Sequence, residues 1–184
     1  MTTPWYPSPN PGGNNRKLAR NAARDWLRAQ RIDGLEAVHA SQTGPDGISW
    51  EDSVLSSGQF HAQLSISIPS DSEDRLAYAG DNDPGGKLLH LDMEFELSHI
   101  GGEAGLWEAS EDDYDRIVEA IKDGLRGSGR DFGRPDVVLQ VGEYPRAGGI
   151  RTEHEDPVDV SGACFRRGRI LFTYTQYLPS PLDQ

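Results

Sequence analysis

The segment HLDMEFELSH, residues 90 to 99, sets ionisable side chains at alternate positions. His90, Asp92, Glu94, Glu96 and Ser98 form one set, and Leu91, Met93, Phe95 and Leu97 form the other. Successive side chains of a strand point to opposite faces, so this spacing predicts a strand with an imidazole and three carboxylates in a row above an apolar row. Imidazole nitrogen and carboxylate oxygen are ligands for divalent metals, and His99 stands nearby. Glu153, His154, Glu155 and Asp156 offer a second group of the same donors. Alternate residues of a strand lie about 7 Å apart and metal bonds are about 2 Å long, so one row needs convergence from another segment to enclose an ion. No HxxxH, CxxC or HExxH pairing supplies it. The row is therefore expected to be a solvated or subunit-facing surface, with no metal and no cofactor assigned.

Other chemistry finds less support. The glycine pairs beginning at 12, 85, 101 and 148 lack the preceding strand and following helix that would aim backbone N–H groups at a phosphate. Neither GSG at 127 to 129 nor SSG at 56 to 58 has the nucleophile-elbow pattern. Cys164, the single cysteine, cannot form an internal disulfide, and it precedes Phe165 in a predicted strand, so a buried reduced thiol is expected. No enzymatic activity is assigned.

The elements that must position these residues follow from periodicity and caps. Asn14 or Asn15 can cap a first helix through RKLARNAARDWLRAQRI, which stops near Gly34. Its apolar stripe is Leu18, Ala22, Trp26 or Leu27, then Gln30 or Arg31. Arginines at 16, 20, 24, 28 and 31 make a basic ridge on the other faces, with Arg20 and Arg24 at its centre as candidate interface residues. LEAVHAS is a short strand candidate, followed by a turn-rich connection containing Trp50. Residues 60 to 68 alternate as a strand that Pro69 and SDSED are expected to end. The connection to the strand at 90 is too short for a helical crossover, which predicts an antiparallel pair. A second helix is predicted over 109 to 127, with Ser110 and Asp113 approximating a capping box and Tyr114, Ile117, Val118, Ile121 and Leu125 forming its buried face. Strands follow from residue 136, then VDVSGACF and RILFTYTQYL as a hairpin turning at Arg166, Arg167 and Gly168.

The fold class is α+β: a mostly antiparallel sheet with two main helices packed on it, long loops and an extended N-terminal arm. Residues 1 to 15, with prolines at 4, 7, 9 and 11, form the arm; residues 16 to 178 form one domain; residues 179 to 184 form a tail. Trp5 and Tyr6 in the arm are candidate anchors on this subunit or a neighbour. A length of 184 residues fits one domain, and a mean hydropathy of -0.64 with 21 Gly and 12 Pro indicates a modest core carrying many loops. A net charge of -12 argues against a protein that grips phosphate backbones. No stretch has the pattern of a signal peptide or a membrane span, and the free cysteine fits a cytoplasmic folding environment.

In order, spacing and texture, the chain resembles the tail terminator proteins of long-tailed (siphovirus-type) bacteriophages, especially those infecting actinobacteria. The matching pieces are the first helix leading through RIDGLEAV, the strand KLLHLDMEFELSHI, the helix EDDYDRIVEAIKDGLRG, and the closing segment from VVLQVGEYPRAGG to FTYTQYL. The resemblance spans about residues 16 to 178, and it implies a structural virion protein without catalytic residues. It implies a ring, usually hexameric, that caps the tail tube, stops its polymerisation and meets the head connector, with the tail tube protein and connector proteins as partners. DNA would pass through the lumen without specific binding, and the location would be the head-proximal end of the tail, after assembly in the host cytoplasm. Another head-to-tail neck protein, such as a stopper or adaptor, is the nearest alternative. A metal-dependent enzyme using His90, Asp92 and Glu94 is the alternative of another class. A head-to-tail ring needs two unlike patches per subunit, and the sequence offers the basic ridge of the first helix and the acidic row Asp92, Glu94, Glu96.

Overall fold

In the computed structural model the described residues are 15–44, 49–50, 61–75, 86–101, 107–127, 131–133, 139–141 and 149–178. The arm with Trp5 and Tyr6, the tail after residue 178 and much of the predicted loops lie outside them. Two helices and seven strands are described: α1 (Asn15–Gln30), β1 (Ala37–His39), β2 (Ala62–Arg75), β3 (Lys87–Gly101), α2 (Trp107–Arg126), β4 (Leu139–Val141), β5 (Arg151–His154), β6 (Val158–Val160) and β7 (Ala163–Leu178).

The alternation of residues 90 to 99 sets the register of the whole sheet. β3 runs antiparallel to β2 on one side and to β7 on the other, with Phe95 opposite Ile66 and Ile170, and Leu97 opposite Leu64 and Gly168. Residues directly opposed across a ladder share a face, so the apolar sets of the three strands coincide. The sheet order is β1, β2, β3, β7, and the far edge of β7 is covered in turn by β6, β5 and β4. Only β1 runs parallel to its neighbour among the described strands. The architecture is α+β, a mostly antiparallel sheet with two helices.

Both helices pack on the apolar face. The core joins Leu91, Met93, Phe95 and Leu97 of β3 to Ile117, Val118, Ile121 and Leu125 of α2, and to Ala19, Ala23, Trp26 and Leu27 of α1. Phe95 and Phe172 meet edge to face at 4.9 Å, and Phe132 stacks on Tyr174 at 4.8 Å. The buried face of α2 is the predicted one. That of α1 is turned slightly: Ala19 and Ala23 are buried while Leu18 is only half-buried, because small side chains let this helix lie close to the sheet.

Three expectations are corrected. Pro69 and the acidic run after it do not end β2, which continues to Arg75 through a register shift between Ser67 and Ser70. A bulge leaves a residue out of the ladder, which suits a proline that has no N–H to give. The hairpin does not turn at Arg166 to Gly168, which lie inside the unbroken β7; it turns at Ser161 and Gly162. Both have positive φ, 56° and 87°, as a two-residue turn matching strand twist requires, and the Asp159 carboxylate accepts the Gly162 N–H at 3.0 Å. Ser110 is not a helix cap: α2 begins at Trp107, and Ser110 is buried beside Gly101, where a Cβ would collide with it.

Candidate functional site

The face of the sheet away from the helices carries the row that drew attention in the sequence. His90 is buried, its Nδ1 3.0 Å from Thr175 Oγ1 of β7 and its Nε2 3.2 Å from Asp74 of β2. Asp92 is exposed and accepts hydrogen bonds from Ser70 Oγ at 2.5 Å and Thr173 Oγ1 at 2.9 Å. Glu94 lies 3.9 Å from Arg169, and Glu96 3.7 Å from Arg167. Beyond β7 the same arginines meet β5 and the turn after it: Arg169 to Glu153 at 3.4 Å and Arg167 to Glu155 at 2.7 Å. Arg151 pairs with Glu153 at 2.6 Å. The charges thus alternate strand by strand, acidic on β3, basic on β7 and acidic around β5.

This ladder follows from register. Glu96 is opposite Arg169 and Ser98 opposite Arg167, and each arginine reaches diagonally to the β3 carboxylate two residues earlier, Arg169 to Glu94 and Arg167 to Glu96. The two acidic groups noted in the sequence do approach each other, since Glu94 and Glu153 share Arg169. A guanidinium occupies the point of convergence, however, where a metal ion would need only donors. Among the described residues no group of three or more His, Cys, Asp or Glu side chains is disposed to hold a metal ion.

At the β1 end of this face, Trp50 folds over the sheet. Its ring stacks on His39 with centroids 3.7 Å apart, and the buried Gln63 donates to its carbonyl oxygen. A cavity of about 270 Å³ lies beside it, lined by Gln42, Trp50, Gln63, Ser65, Glu96 and Ser98. Gln42 donates to Glu96 at 3.3 Å. Burial lowers the pKa of His39, a trend that the hydrogen bond its Nε2–H gives to Gln63 Oε1 opposes and the charge of Arg28 assists.

His154 belongs to the opposite face. Its Nδ1 lies 3.2 Å from the hydroxyl of Tyr114, whose ring also packs edgewise against the buried His99. Desolvation pushes the Tyr114 phenol up to about 12, with the charge of Asp115 adding to it. Desolvation also lowers His99, against the pull of Asp113 and with help from His61, Arg166 and Arg116. Gly168 leaves the space that the Tyr114 hydroxyl fills: a Cβ there would stand 2.0 Å from it. These groups fasten α2 to β7.

The basic ridge of α1 is partly internal. Arg16 pairs with Asp71 at 3.0 Å and donates to the Ile68 carbonyl of β2, and Arg28 donates to the Val38 carbonyl of β1 at 2.7 Å. Arg24 pairs with Asp25 at 2.8 Å, and Arg20 is half-buried. The sequence pattern does not pair the arginines of β7 with the acidic row, because it puts Arg166 and Arg167 in a turn and Arg169 at the start of the strand after it. Extending the period-two pattern of FTYT back to Arg169 and Arg167 would have placed them beside the acidic row. Also missed were Glu108, Asp112 and Asp115, all exposed, whose spacing of four and three residues marks one flank of α2.

No protein-family model matches the chain, and no curated protein matches it. No helix among the described residues is long and apolar enough to cross a membrane.

Proposed function

We propose that this protein is a structural component of a long-tailed bacteriophage virion, a tail terminator that forms a ring on the head-proximal end of the tail tube. The observation that carries this reading is how the β3 row is used. His90 is held by Thr175 and Asp74, Asp92 by Ser70 and Thr173, Glu94 by Arg169, and Glu96 by Arg167 and Gln42. Ionic groups closed on one another in this way stiffen a sheet and present a surface; they do not hold a reactive group poised for a substrate. The resemblance in element order supports the same reading, since the long and closing strands form one sheet and both helices pack on one face of it. The net charge of -12 per chain suits a ring through which DNA slides without sticking.

In this role the protein ends tube growth. Adding it to polymerising tail tube subunits shortens the tubes and fixes their length distribution, measured by electron microscopy. Tubes of unchanged length at saturating protein would contradict the reading.

A further inference from the structure

α1 and α2 lie side by side, and their contacts define which flank of each looks outward. Trp26 of α1 reaches α2 at Gly124, where a Cβ would stand 3.1 Å from the indole. Arg116 of α2 bonds to the carbonyl of Asp33, just past α1, at 3.0 Å. On the side away from α2, Arg16 and Arg28 of α1 reach β2 and the edge strand β1. On the side away from α1, Glu111 of α2 pairs with Arg166 of β7 at 3.2 Å.

At 3.6 residues per turn, Arg16, Lys17, Arg20, Arg24 and Arg28 fall within about a third of the circumference of α1. The contacts of Arg16 and Arg28 turn that third toward the β1 edge. By the same geometry Glu108, Glu111, Asp112, Asp115, Glu119 and Asp123 occupy about a third of α2. The contact of Glu111 turns that third toward β7 and the strands beyond it. Along the C-terminal half of this acidic flank, Lys122 and Arg126 offset Glu119 and Asp123. Along its N-terminal half, Glu108, Asp112 and Asp115 are exposed and have no cationic partner among the described residues. On the α1 flank Asp71 and Asp25 pair with Arg16 and Arg24, but the five cations outnumber those two carboxylates, so the subunit carries a basic flank at one edge and an acidic flank at the other.

We infer that these flanks are the two halves of a head-to-tail contact between copies of this chain, the α1 flank of one against the N-terminal half of the α2 flank of the next. Two unlike patches on opposite edges are what a heterologous contact requires, and repeated with a closing rotation they make a ring. The acidic row of β3 is not the second patch, because the arginines of β7 already face it. This inference rests on the ring reading and names the surfaces that build the ring.

The test is charge reversal followed by mixing. One variant, K17E/R24E/R28E, sets three carboxylates against Arg16 and Arg20 and so makes both flanks acidic; the other, E108K/D112K/D115K, makes both basic. Each folds as wild type by circular dichroism, and each alone loses self-association by about tenfold or more in sedimentation velocity. An equimolar mixture regains it, because acidic and basic flanks again alternate. Wild-type association also weakens as NaCl rises from about 50 mM to about 500 mM, a measurement that holds even where a variant fails to fold. Variants that assemble alone as wild type does, or a wild-type protein that stays monomeric at low salt, would overturn the inference. So would a monomer that retains duplex DNA on its basic flank. Unchanged assembly of the variants together with shortened tail tubes would defeat the interface and leave the function standing. Assembly through the flanks with tubes of normal length would do the reverse.

Discussion

The two faces of β3 hold the same strand in place by different physics. Toward the helices, Leu91, Met93, Phe95 and Leu97 are at most 1% exposed and touch side chains from α2, β2 and β7. Burying an aliphatic or aromatic side chain contributes on the order of 1.5 to 3 kcal/mol, without directional demands. Away from the helices, Asp92, Glu94 and Glu96 are exposed or half-buried and are held by hydroxyls and guanidinium groups. Exposed ion pairs contribute about 0 to 1 kcal/mol each. The apolar face specifies the fold and its register, whereas the polar face follows from that register and keeps its charges balanced. Beside this row of carboxylates the neighbouring strand β7 places Arg167 and Arg169.

The largest test of that contrast is Phe95→Ala, which removes a fully buried ring packed edgewise on Phe172 and is expected to cost about 3 to 5 kcal/mol in urea denaturation. Next is Gly168→Ala, whose Cβ meets the Tyr114 hydroxyl and the Glu153 carbonyl, for an expected cost of about 1 to 3 kcal/mol. Adding Tyr114→Phe recovers part of that loss, since it removes the nearer obstacle. No recovery would mean the Glu153 carbonyl dominates.

Acidification probes the boundary between the faces. His99 has a lowered pKa in the folded protein, so below its ordinary value of 6.5 the unfolded chain takes up a proton that the native state resists. Stability is therefore present above pH 6.5 and lost as pH falls from there to the native pKa, below which this contribution levels off. His39 acts with the same sign. His99→Phe is expected to flatten the dependence of the urea midpoint on pH, and an unchanged slope would remove His99 from the account. The smallest effect belongs to the ladder: a double-mutant cycle on Glu94→Gln and Arg169→Met should give a coupling of about 0.2 to 1 kcal/mol that shrinks with salt.

The sequence revealed those features that a single local period governs. The alternation of residues 90 to 99 and the spacing of Tyr114, Ile117, Ile121 and Leu125 each mark an apolar face that the structure buries, although His90 and Ser98 of the polar row are buried as well. What it hid depended on a second segment. Pro69 reads as a strand end because a proline cannot donate to a ladder, and only the register against β3 reveals the bulge that accommodates it. Arg166, Arg167 and Gly168 read as a turn by composition, yet Gly168 is small because Tyr114 of a distant helix occupies the space above it. The acidic row was legible as a surface, but its pairing to Arg167 and Arg169 was not, because cross-strand partners are set by register between segments far apart in the chain.

The most direct test of the proposed role is an electron micrograph of purified protein mixed with phage tail tubes. The account predicts a ring of density on one end of each tube, with cyclic symmetry in averaged end views. Bare tube ends at protein concentrations well above that of tube ends, or density spread along the tube walls, would contradict it.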